Sequence, residues 1–149
     1  MLSVLERSEQ HDVERLFADE LDCARELFTR LLDLAGVNSR RPGLVRMFNV
    51  LVGESGNPGH PAHSYFKVRY ERALATTAEI LQRAVRSGEL KAGTDCEASA
   101  GELLAVMDGL QIQWILDPDG IDMVDRFRRY LDRTLRTLTV DGSGLPDDA

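Results

Sequence analysis

His60 and His63 flank Pro61 and Ala62 in the stretch GESGNPGHPAHSYF (53–66). Two imidazoles at that spacing can share a metal ion if both rings face one way. No third ligand stands at a matching distance, and His60 sits where a helix cap is expected. Both are therefore expected to serve local structure, and no metal and no cofactor are assigned. A second candidate is the amide of Gln111, in LLAVMDGLQIQWILDPDG (103–120) beside the single tryptophan, Trp114. Gln111 falls on an apolar side, between Met107 and Trp114. A buried amide must be hydrogen-bonded or it costs about 1–3 kcal/mol. Its partner can be a side chain, a backbone group, a water or a bound molecule. Gln113 falls at the edge of the same side and reads as a rim residue, and His11 lies on a polar helix face. The chain has no nucleophile elbow, phosphate loop, zinc-helix motif or dinucleotide fingerprint, so nothing supports an enzyme.

These residues need elements to position them. Breaks rich in glycine and proline fall at GVNSRRPG (36–43), GESGNPGHP (53–61), SGELKAGTD (87–95) and DPDG (117–120). The segments between carry helical periodicity and little strict alternation, so the chain reads as all-α with about six helices and no sheet. The first is expected over Leu2 to Phe17, the second over Leu21 to Val37 and the third over Gly43 to Glu54. The fourth is expected over Pro61 to Arg86, with the proline in its first turn. Thr94 and Glu97 have capping-box spacing, which starts a fifth helix running to Leu116. The sixth is expected over Asp119 to Leu138, and the tail, 141–149, as disordered.

The last two helices differ in kind. At 100° per residue, Met123, Val124, Phe127, Tyr130, Leu131, Leu135 and Leu138 share an arc of roughly 140°. Acids and arginines alternate over the rest, the pattern of a solvated face. The fifth helix has no such face. Leu103, Leu104, Val106, Met107, Leu110, Trp114 and Ile115 cover one broad side, and Ala105, Gly109, Ile112 and Leu116 the other. Asp108 is its only charge from Leu103 to Leu116. A helix apolar nearly all round is covered on two sides. One side fits the chain's own core and the other a twin chain, so a homodimer built on these two helices is expected. The simpler alternative is a central helix surrounded within one chain.

At 149 residues, with 43% apolar residues, the chain is sized for one core. A net charge of −7 disfavours phosphate backbones as partners. Cys23 and Cys96 stand in no metal or redox spacing, which fits a reducing cytoplasm. No apolar run approaches the ~18 residues that span a bilayer, so no membrane partner is expected.

Residues 40–95, from RRPGLVRMFNVLVGESGNPGHPAHSYF through RSGELKAGTD, together with LLAVMDGLQIQWILDPDGIDM, resemble the C-terminal ligand-binding and dimerisation domain of TetR-family transcriptional regulators. More narrowly they are similar to the subgroup typified by the choline-responsive betaine regulator. The resemblance implies a homodimer held by a four-helix bundle of the last two long helices. It also implies a small apolar or amphipathic effector in a cavity among the helices. Phe48, Phe66, Tyr70, Met107, Gln111 and Trp114 are expected near that cavity, although periodicity by itself reads the aromatics as core. Ala105, Gly109, Ile112, Leu116, Phe127, Tyr130 and Leu131 are expected at or near the dimer interface. Residues 1–18 are similar to the family's linking helix, and 19–140 to its effector-binding and dimerisation domain. Nothing in 1–149 resembles the family's helix-turn-helix head, so DNA contact is expected only through a head that this chain lacks. A stand-alone ligand-binding or sequestering partner of an intact regulator is the alternative.

Overall fold

The computed structural model describes residues 2–16 and 20–149. They form six α-helices: α1 (Leu2–Leu16), α2 (Ala24–Ser39), α3 (Pro42–Glu54), α4 (His63–Arg86), α5 (Cys96–Leu116) and α6 (Met123–Leu138). No strand occurs among the described residues; one isolated bridge joins Leu90 and Thr139. Phe17, the expected end of the first helix, lies outside the described residues. α5 packs most extensively on α4, and α6 on α2.

Five helix starts differ from the sequence reading: α2 begins at Ala24 rather than Leu21, α3 at Pro42 rather than Gly43, and in the other three a nearby group satisfies the first backbone donors differently. In α4, the His60 Nδ1 accepts the Ala62 N–H (3.1 Å), so Pro61 belongs to a turn and the helix begins at His63. In α5, Asp95 accepts the Ala98 N–H at 3.0 Å. The Thr94 hydroxyl instead donates to the Lys91 carbonyl. A carboxylate at the positive end of a helix outcompetes a hydroxyl one residue earlier. In α6, Asp122 is the cap, accepting from Asp125 N–H (2.9 Å). The preceding DPDG folds around Asp117, whose carboxylate accepts the Gly120 N–H. A Cβ at Gly120 would meet that carboxylate, which would have to shift.

The GEL triplet ties the chain together. Gly88 takes φ +85, which a side chain would resist. Leu90 is fully buried in the core. Glu89 reaches back to α2, where its carboxylate accepts the N–H groups of Ala24 (3.1 Å) and Arg25 (2.9 Å). Cys23, at the cap position, makes no capping bond; its Sγ donates to the same Glu89 carboxylate (3.5 Å). The cap of α2 therefore comes from a residue 64 positions downstream of Arg25. Glu89→Ala is expected to destabilise the fold by about 2 kcal/mol, a fall of roughly 5 °C in Tm, with Glu89→Gln losing about half as much. Thermal denaturation followed by circular dichroism checks this.

The main core joins α2, α4, α5 and α6 through Phe28, Leu81, Leu103, Phe127, Leu131 and Leu135, all fully enclosed. A second cluster joins α1, α3 and α4 through Leu5, Phe48, Leu51 and Phe66. A third is small: Val45, Trp114 and Met123. The tail, expected to be disordered, is placed against the body. The Leu145 N–H donates to Asp132 (3.0 Å), Thr139 donates to the Ser143 carbonyl, and Leu145 packs on the main core.

Candidate functional site

Between the three clusters lies a cavity of about 100 Å³, open on one side. Five helices line it. α1 supplies Leu5, Ser8, Glu9, Asp12 and Val13, α2 supplies Leu34 and Asn38, and α3 supplies Leu44, Val45 and Phe48. α4 contributes Arg69, and α5 contributes Met107, Asp108 and Gln111.

Gln111 carries the most information. It is 4% exposed, and its side chain makes no hydrogen bond among the described residues. The fully enclosed side-chain atoms without a partner among the described residues are Arg25 Nε, Arg41 Nε, Asn49 Nδ2 and Arg83 Nε; the Gln111 amide is not among them, so it opens onto the cavity rather than being sealed from it. Asp108 stands one turn earlier on the same side of α5. Its Oδ2 accepts a hydrogen bond from the Tyr70 hydroxyl (2.6 Å). Burial pushes the Asp108 carboxyl above the usual aspartate range, and the Tyr70 bond and the Arg69 charge oppose that rise. Burial beside Asp108 also pushes the Tyr70 phenol up.

α1 closes the cavity through polar straps. Glu9 accepts hydrogen bonds from Arg69 (2.6 Å) and from the Tyr65 hydroxyl (2.7 Å). Asp12 pairs with Arg41 at 2.5 Å, and Arg41 also donates to Ser8. The Arg69 guanidinium lies over the Phe48 ring at 4.7 Å and the Tyr70 ring at 5.2 Å. Apolar anchoring of α1 is slight by comparison. Leu5 is its one buried large hydrophobic among the described side chains, whereas Val4 and Val13 are about half exposed.

Of the six residues expected near a cavity, Phe48, Met107 and Gln111 line it. Tyr70 stands behind Asp108, and Phe66 stands behind Phe48, edge to face at 5.7 Å. Trp114 does not line it. It packs on Val45 and Met123, because the DPDG turn brings the start of α6 under its ring. The histidines make separate local bonds: the His60 Nδ1 accepts from the Ala62 N–H in the turn before α4 without capping the helix, and the His63 Nδ1 meets the Ser55 carbonyl at 2.8 Å. Sequence reasoning missed Glu9, Asp12, Arg69 and Asp108. Only Asp108 carried a signal, as the sole charge in an apolar helix.

The profile of BetI-type transcriptional repressors, C-terminal region, matches residues 62–139, from just before α4 to just past α6. The chain is a TetR-family C-terminal domain. It is also similar to the HTH-type transcriptional regulator TtgR of Pseudomonas putida, 36% identical over 58 residues. That match covers 39% of this chain and 28% of the length of TtgR. No solved structure matches the chain. The family points to transcription regulation and not to an enzyme. In this TetR-type body the cavity walls from α4 and α5 lie within the matched region, and those from α1, α2 and α3 precede it.

The outer side of α5 is as the wheel placed it. Ala105 and Ile112 are exposed, Leu116 is 79% exposed, and Gly109 is half-buried. α6 differs from expectation. Phe127 and Leu131 are fully enclosed within the chain's own core, so they have no surface left to offer a partner. The α6 stripe has one apolar side, and α2 and α5 use it. Tyr130, half-buried and stacked on Phe127, is the one of the three that reaches the surface. No helix of the described residues is long and apolar enough to cross a membrane.

Proposed function

We propose that this chain is the effector-binding and dimerisation body of a cytoplasmic, ligand-responsive repressor of the TetR type. Its DNA contact would be made by a head domain outside the residues present. One observation carries the ligand part: Gln111 is buried in a cavity wall with no protein partner for its amide among the described residues.

The cavity also suggests the mechanism. At about 100 Å³ it is smaller than the ~300–1,000 Å³ that enclose a drug-sized ligand. A ligand of that size must displace a wall. Four walls belong to helices joined by apolar packing, and the fifth is α1, held by Leu5 and the two straps. α1 is therefore the wall that yields at least cost. Ligand and the closed position of α1 compete, so anything that favours one position of α1 disfavours the ligand, with equal coupling in both directions. α1 is similar to the family's linking helix, so its displacement would alter the separation of two heads in a dimer.

Leu44 lies at the partly exposed edge of the cavity. A tryptophan there fills the entrance without entering the main core. Ligand-observed NMR with benzylamine and benzyl alcohol is expected to show saturable binding to the native chain. Leu44→Trp is expected to lose at least tenfold in affinity while keeping its helical circular dichroism. Unchanged binding in that variant would place the ligand elsewhere.

A further inference from the structure

The polar groups of the cavity are not equally satisfied. Glu9 is matched by Arg69 and Tyr65, and Asp12 by Arg41. Arg69 is in turn occupied by Glu9 and by the two aromatic rings beneath it. Asp108 is not matched in this way. Tyr70 bonds its Oδ2, but no donor among the described residues reaches its Oδ1. Gln111, one turn on, is bonded by nothing among the described residues. Counting charges around the cavity, three carboxylates (Glu9, Asp12, Asp108) face two guanidiniums (Arg69, Arg41), which leaves one negative charge unbalanced. The remaining lining is Ser8 and Asn38, both accepting from Arg41, and apolar side chains such as Leu5, Leu34, Val45 and Met107.

The geometry points to an effector that carries one protonated amine on a small apolar body, its N–H groups donating to the free oxygen of Asp108 and to the Gln111 side-chain carbonyl. This rests on the reading of the cavity as the ligand site and narrows the ligand's chemistry. A carboxylate oxygen and an amide carbonyl that both lack donors among the described residues, side by side on one helix, call for a donor and a positive charge together. An anion would meet Asp108 with no free cation to receive it, since Arg69 is already paired. A quaternary ammonium would supply the charge but no N–H, leaving both acceptors without hydrogen bonds. A neutral alcohol would supply one weak donor and no charge. The upward push that burial gives the Asp108 carboxyl is the counterpart of the same deficit, and a bound ammonium would oppose it.

The test is isothermal titration of the full chain at pH 7 with four probes of similar size: benzylamine, benzyl alcohol, benzyltrimethylammonium and phenylacetate. Benzylamine is expected to bind at least tenfold more tightly than each of the others. Asp108→Asn keeps the acceptor for Tyr70 but removes the charge, and should bring benzylamine to parity with benzyl alcohol. Gln111→Leu should weaken benzylamine severalfold and leave benzyl alcohol nearly unchanged. If benzyl alcohol, the quaternary ammonium or phenylacetate matches benzylamine, the amine assignment falls while the cavity reading stands. The same holds if Asp108→Asn keeps the tenfold preference. If none of the four binds saturably below about 10 mM, both fall.

Discussion

Placing arginine at both Ile112 and Leu116 is expected to convert the proposed dimer to monomer at micromolar concentration, with the helical circular dichroism retained. Ile112 is 49% exposed and Leu116 is 79% exposed on the outer side of α5, next to exposed Ala105 and half-buried Gly109. The opposite side of α5 holds Ala100, Leu103, Met107, Gln111 and Trp114, all buried. One chain thus covers half of a helix that is apolar on both halves, and the uncovered half suits a second copy. In a two-fold interface each residue acts twice. Burying four such side chains contributes on the order of 1.5 kcal/mol each, and two charges per chain facing their like add repulsion. The expected weakening is at least a thousandfold in dimer dissociation constant, read by sedimentation velocity. Phe127→Ala makes the contrasting control. Phe127 is enclosed in the chain's own core, so its loss should lower stability by about 3–5 kcal/mol as a cavity effect.

Gln111→Met is expected to stabilise the protein and to impair it. Methionine has nearly the volume of glutamine and no polar atoms to desolvate. Because the amide opens onto the cavity and can be hydrated there, removing it should raise the unfolding free energy by no more than about 1 kcal/mol. The same change removes a polar anchor from the cavity, so the binding of benzylamine should weaken severalfold. A residue that costs stability and supports binding is what a functional site held above a stability threshold looks like. Urea denaturation at constant m-value reads the first effect and titration the second. A destabilised Gln111→Met chain would mean that the amide has a protein partner after all.

The fold was legible because each helix carries its own period and its own breaks. The apolar stripe of α6 and the all-round apolar character of α5 can be read from one segment at a time. Caps were less legible, because adjacent residues compete for the same donors: Thr94 and Asp95 differ by one position, and only packing decides. The Glu89 cap on α2 was beyond local reading, since its two ends are far apart in sequence and meet only when α4 and α2 pack. In the site, Gln111 announced itself as a polar residue on an apolar face. Its neighbours did not. Glu9, Asp12 and Arg69 look like ordinary solvated charges on their own helices, and only the docking of α1 turns them inward. Trp114 misled for a related reason: its apolar face was correctly read, but which partner fills it depends on the path of the turn that follows. Phe127 and Leu131 lie on a real stripe, and a stripe does not say whether its cover is the same chain or another.

The central claim is that the cavity's occupant competes with the closed position of α1. The most direct measurement is hydrogen exchange of the backbone amides of residues 5–13, in the 149-residue chain at pH 7. It would be made with and without a saturating concentration of whichever of benzylamine and benzyl alcohol binds more tightly. Exchange in α1 is expected to change severalfold on binding, with smaller changes at Asp108 and Gln111 and none in the second half of α6, which faces no part of the cavity. Binding that leaves α1 exchange unaltered would contradict the account.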